Sequence, residues 1–141
     1  MGKINVGRWL LGGIAGGIVF DLLDFPVDGV WLAPHWSEQL GLLGKPALST
    51  NNWIVFNLIG ILGGLATIWI YAAIRPRFGP GVKTAIYAGF VAWFLTSLMP
   101  NAGFMWSMGL FTKHLTLYTT VGNFFEIIIA TIVGAWLYKE A

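Results

Sequence analysis

No cysteine occurs among the 141 residues, which excludes disulfides, thiolate metal centres and dithiol redox chemistry. Charge is almost as scarce. Asp, Glu, Lys and Arg together make up 10% of the chain, where soluble domains carry about a quarter. Eight basic residues against six acidic ones leave a formal net charge of +2. They are scattered singly and form no patch or stripe, so no nucleic-acid partner is expected. What the chain has in excess is apolar: 57% hydrophobic, 16% aromatic, with a mean hydropathy of +0.74. This length predicts one domain over residues 1–141, and the composition makes it an integral membrane protein.

Windows of about 20 apolar residues, the length that crosses hydrocarbon at about 1.5 Å per residue, lie near 6–25, 53–74, 82–99 and 115–138. The expected fold is all-α, a bundle of four transmembrane helices with apolar interfacial segments on the outer side. Lys3 and Arg8 ahead of the run from Trp9 to Phe20 imitate a secretory leader. The sole candidate cleavage position, after Ala33, has Trp31 where a small residue is needed and Pro34 directly behind, so the segment is expected to stay as an anchor. Between the windows, Lys3, Arg8, Arg75, Arg77, Lys83 and Lys139 fall on one side and only Lys45 and Lys113 on the other. That asymmetry places both termini in the cytoplasm. Trp9, Trp69 and Trp136 then lie near the inner boundary and Trp31, Trp36, Trp53 and Trp106 near the outer one, as an aromatic belt requires, while Trp93 lies deep.

The connection from Arg75 to Gly81 holds two prolines and two glycines and reads as a stiff cytoplasmic turn. The outer connections are longer and still apolar. From Pro34 to Gly44, with Trp36, Leu40 and Leu43 on one face, the first reads as a helix lying on the outer leaflet. The second, Asn101 to Lys113, carries Phe104, Met105, Trp106, Met108, Leu110 and Phe111 and reads as equally interfacial. Each half is therefore span, outer apolar segment, span, without residue-level identity between the halves.

Lipid offers no hydrophobic force between helices, so spans associate where small residues let backbones approach. Gly12, Gly13, Gly16 and Gly17 supply such a stripe, as do Gly60 with Gly64, Ala85 with Gly89, Ala88 with Ala92, and Ala130 with Gly134. Gly13, Gly17, Gly60, Gly64 and Gly134 are the expected packing points. At about 100° per residue, Asp21, Asp24 and Asp28 project within roughly 40° of Gly17 if the first helix runs unbroken. Asn57 shares the side of Gly60 and Gly64, and Asn123 that of Ala130 and Gly134, with Glu126 about 60° away. The other register ends the first helix near Phe25, because Pro26 lacks a backbone donor; Asp24 and Asp28 then become ordinary outer-surface acids around an Asp28-Gly29 turn.

Glu126 stands near the middle of the last window, where an ionised acid costs about 2.5 to 3.5 kcal/mol or more. It ranks first among the candidate buried polar residues, followed by Asp21 and then Asn123, Asn57 and Asp24. No Lys or Arg lies inside any window. Glu126 must therefore hold a proton, bond to Asn123, Asn57 or a Thr hydroxyl, or meet something external: a transported cation or proton, a metal, or a partner's basic residue.

Asp21, Asp24, Asn123 and Glu126 offer paired oxygen ligands at i, i+3, a pattern seen in carboxylate-bridged metal centres, but the usual histidines are missing from the windows. His35 and His114 lie at the outer boundary and read as solvated, with ligation of a neighbour's pigment or metal the sharper alternative. No cofactor, resident metal or catalytic residue is expected. Four spans with one or two buried acids resemble small multidrug exporters, which implies proton-coupled transport; of these acids only Asp21 matches the exporters' first-span position, and the outer loops here are longer. The stretch Tyr71-Ala-Ala-Ile-Arg-Pro-Arg-Phe-Gly-Pro-Gly-Val-Lys-Thr-Ala, with the first-span acids and Glu126, resembles a group of uncharacterised bacterial four-span proteins. That resemblance implies a bacterial inner membrane and carries no activity. The expected function is a non-enzymatic accessory or structural subunit whose partners are lipid and other transmembrane subunits or a second copy of itself. The alternative is a small proton-coupled transporter using buried acids in the first and fourth spans.

Overall fold

The computed structural model describes residues 3–140, so the first two residues and the last of the unit 1–141 lie outside the described residues. Its regular elements are helical, with no strand among the described residues. Helix α1 spans Val6–Asp24 and opens at Asn5, whose side chain accepts from the Arg8 N–H at 3.1 Å. Helix α2 spans Ala33–Leu42, starting with Pro34 in its first turn, so the first connection is helical as its pattern predicts. Helix α3 spans Thr50–Phe78 behind a capping box in which Ser49 and Asn52 satisfy each other's backbone N–H groups. Helices α4, Val82–Trp93, and α5, Lys113–Leu137, complete the set. Four continuous helical stretches, Val6–Trp31, Thr50–Phe78, Val82–Ser107 and Lys113–Leu137, are long and apolar enough to cross a membrane.

Three boundaries differ from those the sequence suggests, and proline chemistry explains each. Pro26 does not end the first helix. The chain widens into a π-helical segment, Phe25–Trp31, closed by Leu32 N–H donating to the Val27 carbonyl at 2.8 Å. Widening the turn admits a ring that cannot donate and would strike the carbonyl four residues back. Asp24 and Asp28 therefore stay on a continuous helix and are not surface acids around a turn. Asn101–Lys113 is likewise not a separate interfacial segment as far as Ser107: α4 continues through π-helical turns at Phe94–Leu98 and Asn101–Ser107, carrying Pro100 between them. Finally, Pro76 lies inside α3, which runs on to Phe78. The connection shrinks to Gly79–Gly81, where φ values of +84° and +119° require residues without a Cβ.

The bundle has α1 seated between α3 and α5, with α4 opposite it between the same two helices. Neighbours run antiparallel: along α1, Gly13 meets Leu65 and Gly17 meets Ile61, while Gly12 backs onto Gly134 and Gly16 onto Ala130. These are backbone contacts. A Cβ at Gly12 would stand 2.5 Å from the Gly134 carbonyl oxygen, and one at Gly17 would collide with the Ile61 backbone. The glycine stripes thus pack helices of this chain against one another.

The end holding the α3–α4 connection is filled. Ile68, Tyr71, Ala72, Ala85, Ala88, Ala135 and Tyr138 form one buried cluster, with Ile4 and Trp9 against it. Tyr71 and Tyr138 meet edge to face at 5.9 Å, the Arg75 guanidinium lies over the Tyr138 ring at 5.7 Å, and Arg75 pairs with Glu140 at 3.2 Å. Thr84 ties the connection down by donating to the Gly79 carbonyl at 2.6 Å.

Adjacent glycines on α3 give a clean test of the packing. A Cβ at Gly64 would fall against Gly13 and Gly17, whereas one at Gly63 meets nothing within 4 Å. Gly64→Ala is expected to destabilise the fold by about 1–3 kcal/mol, and Gly63→Ala to be neutral or stabilising by up to about 1 kcal/mol. Thermal unfolding followed by circular dichroism in one detergent measures both; equal shifts would contradict the close α1–α3 approach.

Candidate functional site

A cavity of about 860 Å³ lies between the helices. Its polar lining comes from Asp21 and Asp24 on α1, Asp28 on the π-helical continuation, Asn57 on α3, Thr119 and Asn123 on α5 and Thr96 on the continuation of α4, with Thr67 and Thr131 deeper. Aromatic rings, among them Phe20, Trp36, Trp53, Phe56 and Phe111, make up much of the wall. Among the described residues, no Lys, Arg or His lines it.

The wide turn after Pro26 carries Asp28 inward, where it is only 9% exposed. Because α2 begins two residues beyond Trp31, Trp36 folds back and its indole N–H donates to Asp28 Oδ1 at 2.7 Å. The Thr119 hydroxyl donates to the same oxygen at 3.1 Å. Oδ2 meets no donor. Asp24, one helical turn earlier, lines the same cavity. Asp21, half-buried, rests over Gly60, and a Cβ there would collide with its Oδ1. Gly60 therefore makes room for an acid as well as for a helix.

Glu126 is 4% exposed and neither of its carboxyl oxygens has a partner. It faces the first helix, with Oε1 3.4 Å and Val27 Cγ1 3.3 Å from where a Cβ on Gly122 would stand. Glu126 is not part of the cavity wall itself. None of the expected hydrogen-bond partners reaches it. Asn123 instead donates to Ser97 Oγ at 3.1 Å and leaves its own Oδ1 unpartnered. Asn57 is exposed and not buried as expected, its amide turned back onto its own helix to donate to the Trp53 carbonyl at 2.7 Å.

The structure thus brings Asp21, Asp24, Asn123 and Glu126 into one region and leaves Asn57 at its margin. His35 and His114 are both exposed, His114 lying against Tyr118 with ring centroids 6.2 Å apart. Among the described residues no group of three or more His, Asp and Glu side chains is placed to hold a metal ion. Sequence reasoning missed Trp36 and Thr119 as partners of Asp28. It also missed the buried Asn101, whose amide donates to Thr120 Oγ1 at 2.7 Å across α4 and α5. The one signal for Asp28 was its spacing of four residues from Asp24, legible only once the helix is known to pass Pro26. No protein-family model, curated protein or solved structure matches this chain.

Buried carboxyl oxygens without donors weaken a fold unless something else uses them. Glu126→Met, which keeps length and removes the unpartnered oxygens, is expected to stabilise the protein by about 1–3 kcal/mol. A fall in unfolding temperature would show that the carboxyl makes a stabilising contact.

Proposed function

We propose that this chain is a multi-pass membrane protein that admits an organic cation to the acid-lined cavity and exchanges it for protons. The carrying observation is a set of carboxyls, Asp21, Asp24 and Asp28, in an aromatic cavity with no basic side chain among its described lining residues. A cation supplies the missing positive charge, and aromatic faces add attraction to it. Release of the cation leaves carboxyls that regain protons, so binding of the two is mutually exclusive. Glu126, buried near Val27 on the same helical stretch as the aspartates, serves as the store from which the cavity's carboxyls are reprotonated. In this reading the protein is non-enzymatic, sits in a bacterial inner membrane with both termini in the cytoplasm, and opens its cavity toward the outer side, where α2 lies at the interface. The basic residues around Arg75 and Lys83 support that orientation.

The subunit reading drew on the glycine stripes as surfaces for partners. With those stripes packed inside the chain, it retains the exposed apolar faces, which lipid covers equally well. The exchange reading is therefore the better supported.

Two measurements test it. In proteoliposomes, a tetraphenylphosphonium gradient is expected to drive proton movement that Asp28→Asn or Glu126→Gln lowers by about tenfold or more, about 1.4 kcal/mol of lost interaction. Unchanged proton flux in both variants would end the proposal. Because the chain has no native cysteine, single-cysteine variants report sidedness directly: a membrane-impermeant maleimide is expected to label Lys45→Cys and not Arg77→Cys in intact cells, and the reverse pattern would invert the topology.

A further inference from the structure

The cavity is long and its polarity is one-sided. Its lining on α3 runs from Trp53 to Ile70, about 25 Å of helix at 1.5 Å per residue. The three aspartates lie in the half nearer α2, level with Asn57 and Gly60, since Asp21 rests on Gly60. Below them the wall is Gly63, Gly64, Ala66, Ile68, Ile127 and Ala130. The deep hydroxyl protons are taken: Thr67 donates to the Gly63 carbonyl at 2.8 Å and Thr131 to that of Ile127 at 2.6 Å. The deeper half therefore offers a ligand no charge and no free hydroxyl proton.

Its side wall is also open. Helices α3 and α4 pack through Tyr71, Ala72, Ala85 and Ala88 near their connection. Farther along, lining residues on their facing flanks are half-exposed, Ile59 and Leu95 each at 55%. A gap of that kind faces lipid if these helices span a membrane, and an alkyl chain passes through it without leaving an apolar medium.

We infer that the ligand is a single-chain cationic amphiphile, bound with its ammonium head at Asp21, Asp24 and Asp28 and its alkyl tail along the Gly63–Ala66 wall, admitted sideways between α3 and α4. This rests on the cation-binding reading and adds to it the tail, the orientation and the route. Charge fixes the head, because the described lining carries carboxylates and no base. The aliphatic, uncharged lining of the deeper half fixes the tail.

Binding of radiolabelled dodecyltrimethylammonium and tetramethylammonium to the full chain in nanodiscs of neutral phospholipid, with counts from empty discs subtracted, tests it. A Cβ at Gly63 meets nothing within 4 Å, so Gly63→Phe fills the deeper half without striking the backbone. Gly63→Phe is expected to weaken dodecyltrimethylammonium about tenfold and leave tetramethylammonium unchanged, while Asp28→Asn weakens both. If both probes bind and Gly63→Phe changes neither, or weakens both alike, the tail site is wrong while the cation site stands. If neither probe binds the unaltered protein, the cation-binding reading falls and takes the tail site with it. Should Gly63→Phe not fold, Ala66→Phe, on the same wall, reads the same difference.

Discussion

The close backbone approach of α1 to α3 and α5 is the constraint on which the other features depend. Gly12 and Gly16 on one flank, and Gly13 and Gly17 on the other, let α1 sit between two helices at distances that a single Cβ would prevent. Once α1 is held there, the next turns of the same helix carry Asp21, Asp24 and Asp28 into the bundle, because spacings of three and four residues keep them on the glycine side. Acids that the bilayer would otherwise reject are thus drawn inward by packing that involves no charge at all.

Proline shapes the other end of the same helix. A helix stopped at Pro26 would have released Asp28 to the surface; a widened turn instead keeps the chain helical to Trp31 and places α2 so that Trp36 folds back onto the carboxyl. The fourth helix repeats the device around Pro100, where the π-helical turns bring Asn101 against Thr120. Wide turns cost some hydrogen-bond quality and tend to persist where they position a side chain for use. Both sit in the half of the molecule that holds the cavity.

The two ends of the bundle are built on opposite principles. Around Tyr71, Ala88 and Tyr138 the space is filled, the last residues are tied by Arg75 to Glu140, and the α3–α4 connection is three residues with glycine at both ends. At the other end polar groups cluster and several carboxyl oxygens lack donors. A fold that tolerates such groups offsets them elsewhere, here by the dense end and the glycine contacts. The acids of the cavity lie away from the filled end, where the exchange proposal places the cation.

Four apolar stretches, the scarcity of charge, the absence of any base inside those stretches and the sharing of faces by small and polar residues were all legible in the sequence, because length, hydropathy and helical periodicity are local quantities. Which partner each face meets was not. Gly13 and Gly17 pack equally well against a neighbour or against α3, and only the folded chain selects α3. Whether Asp28 is a turn residue or the most engaged acid of the cavity hinged on one widened turn at Pro26, a choice settled by packing against α2 and Thr119 across ninety-one positions of sequence. That Glu126 has no partner is likewise a fact of tertiary structure, since it depends on where Asn123 and Asn57 turn their amides, and no spacing along a chain records that.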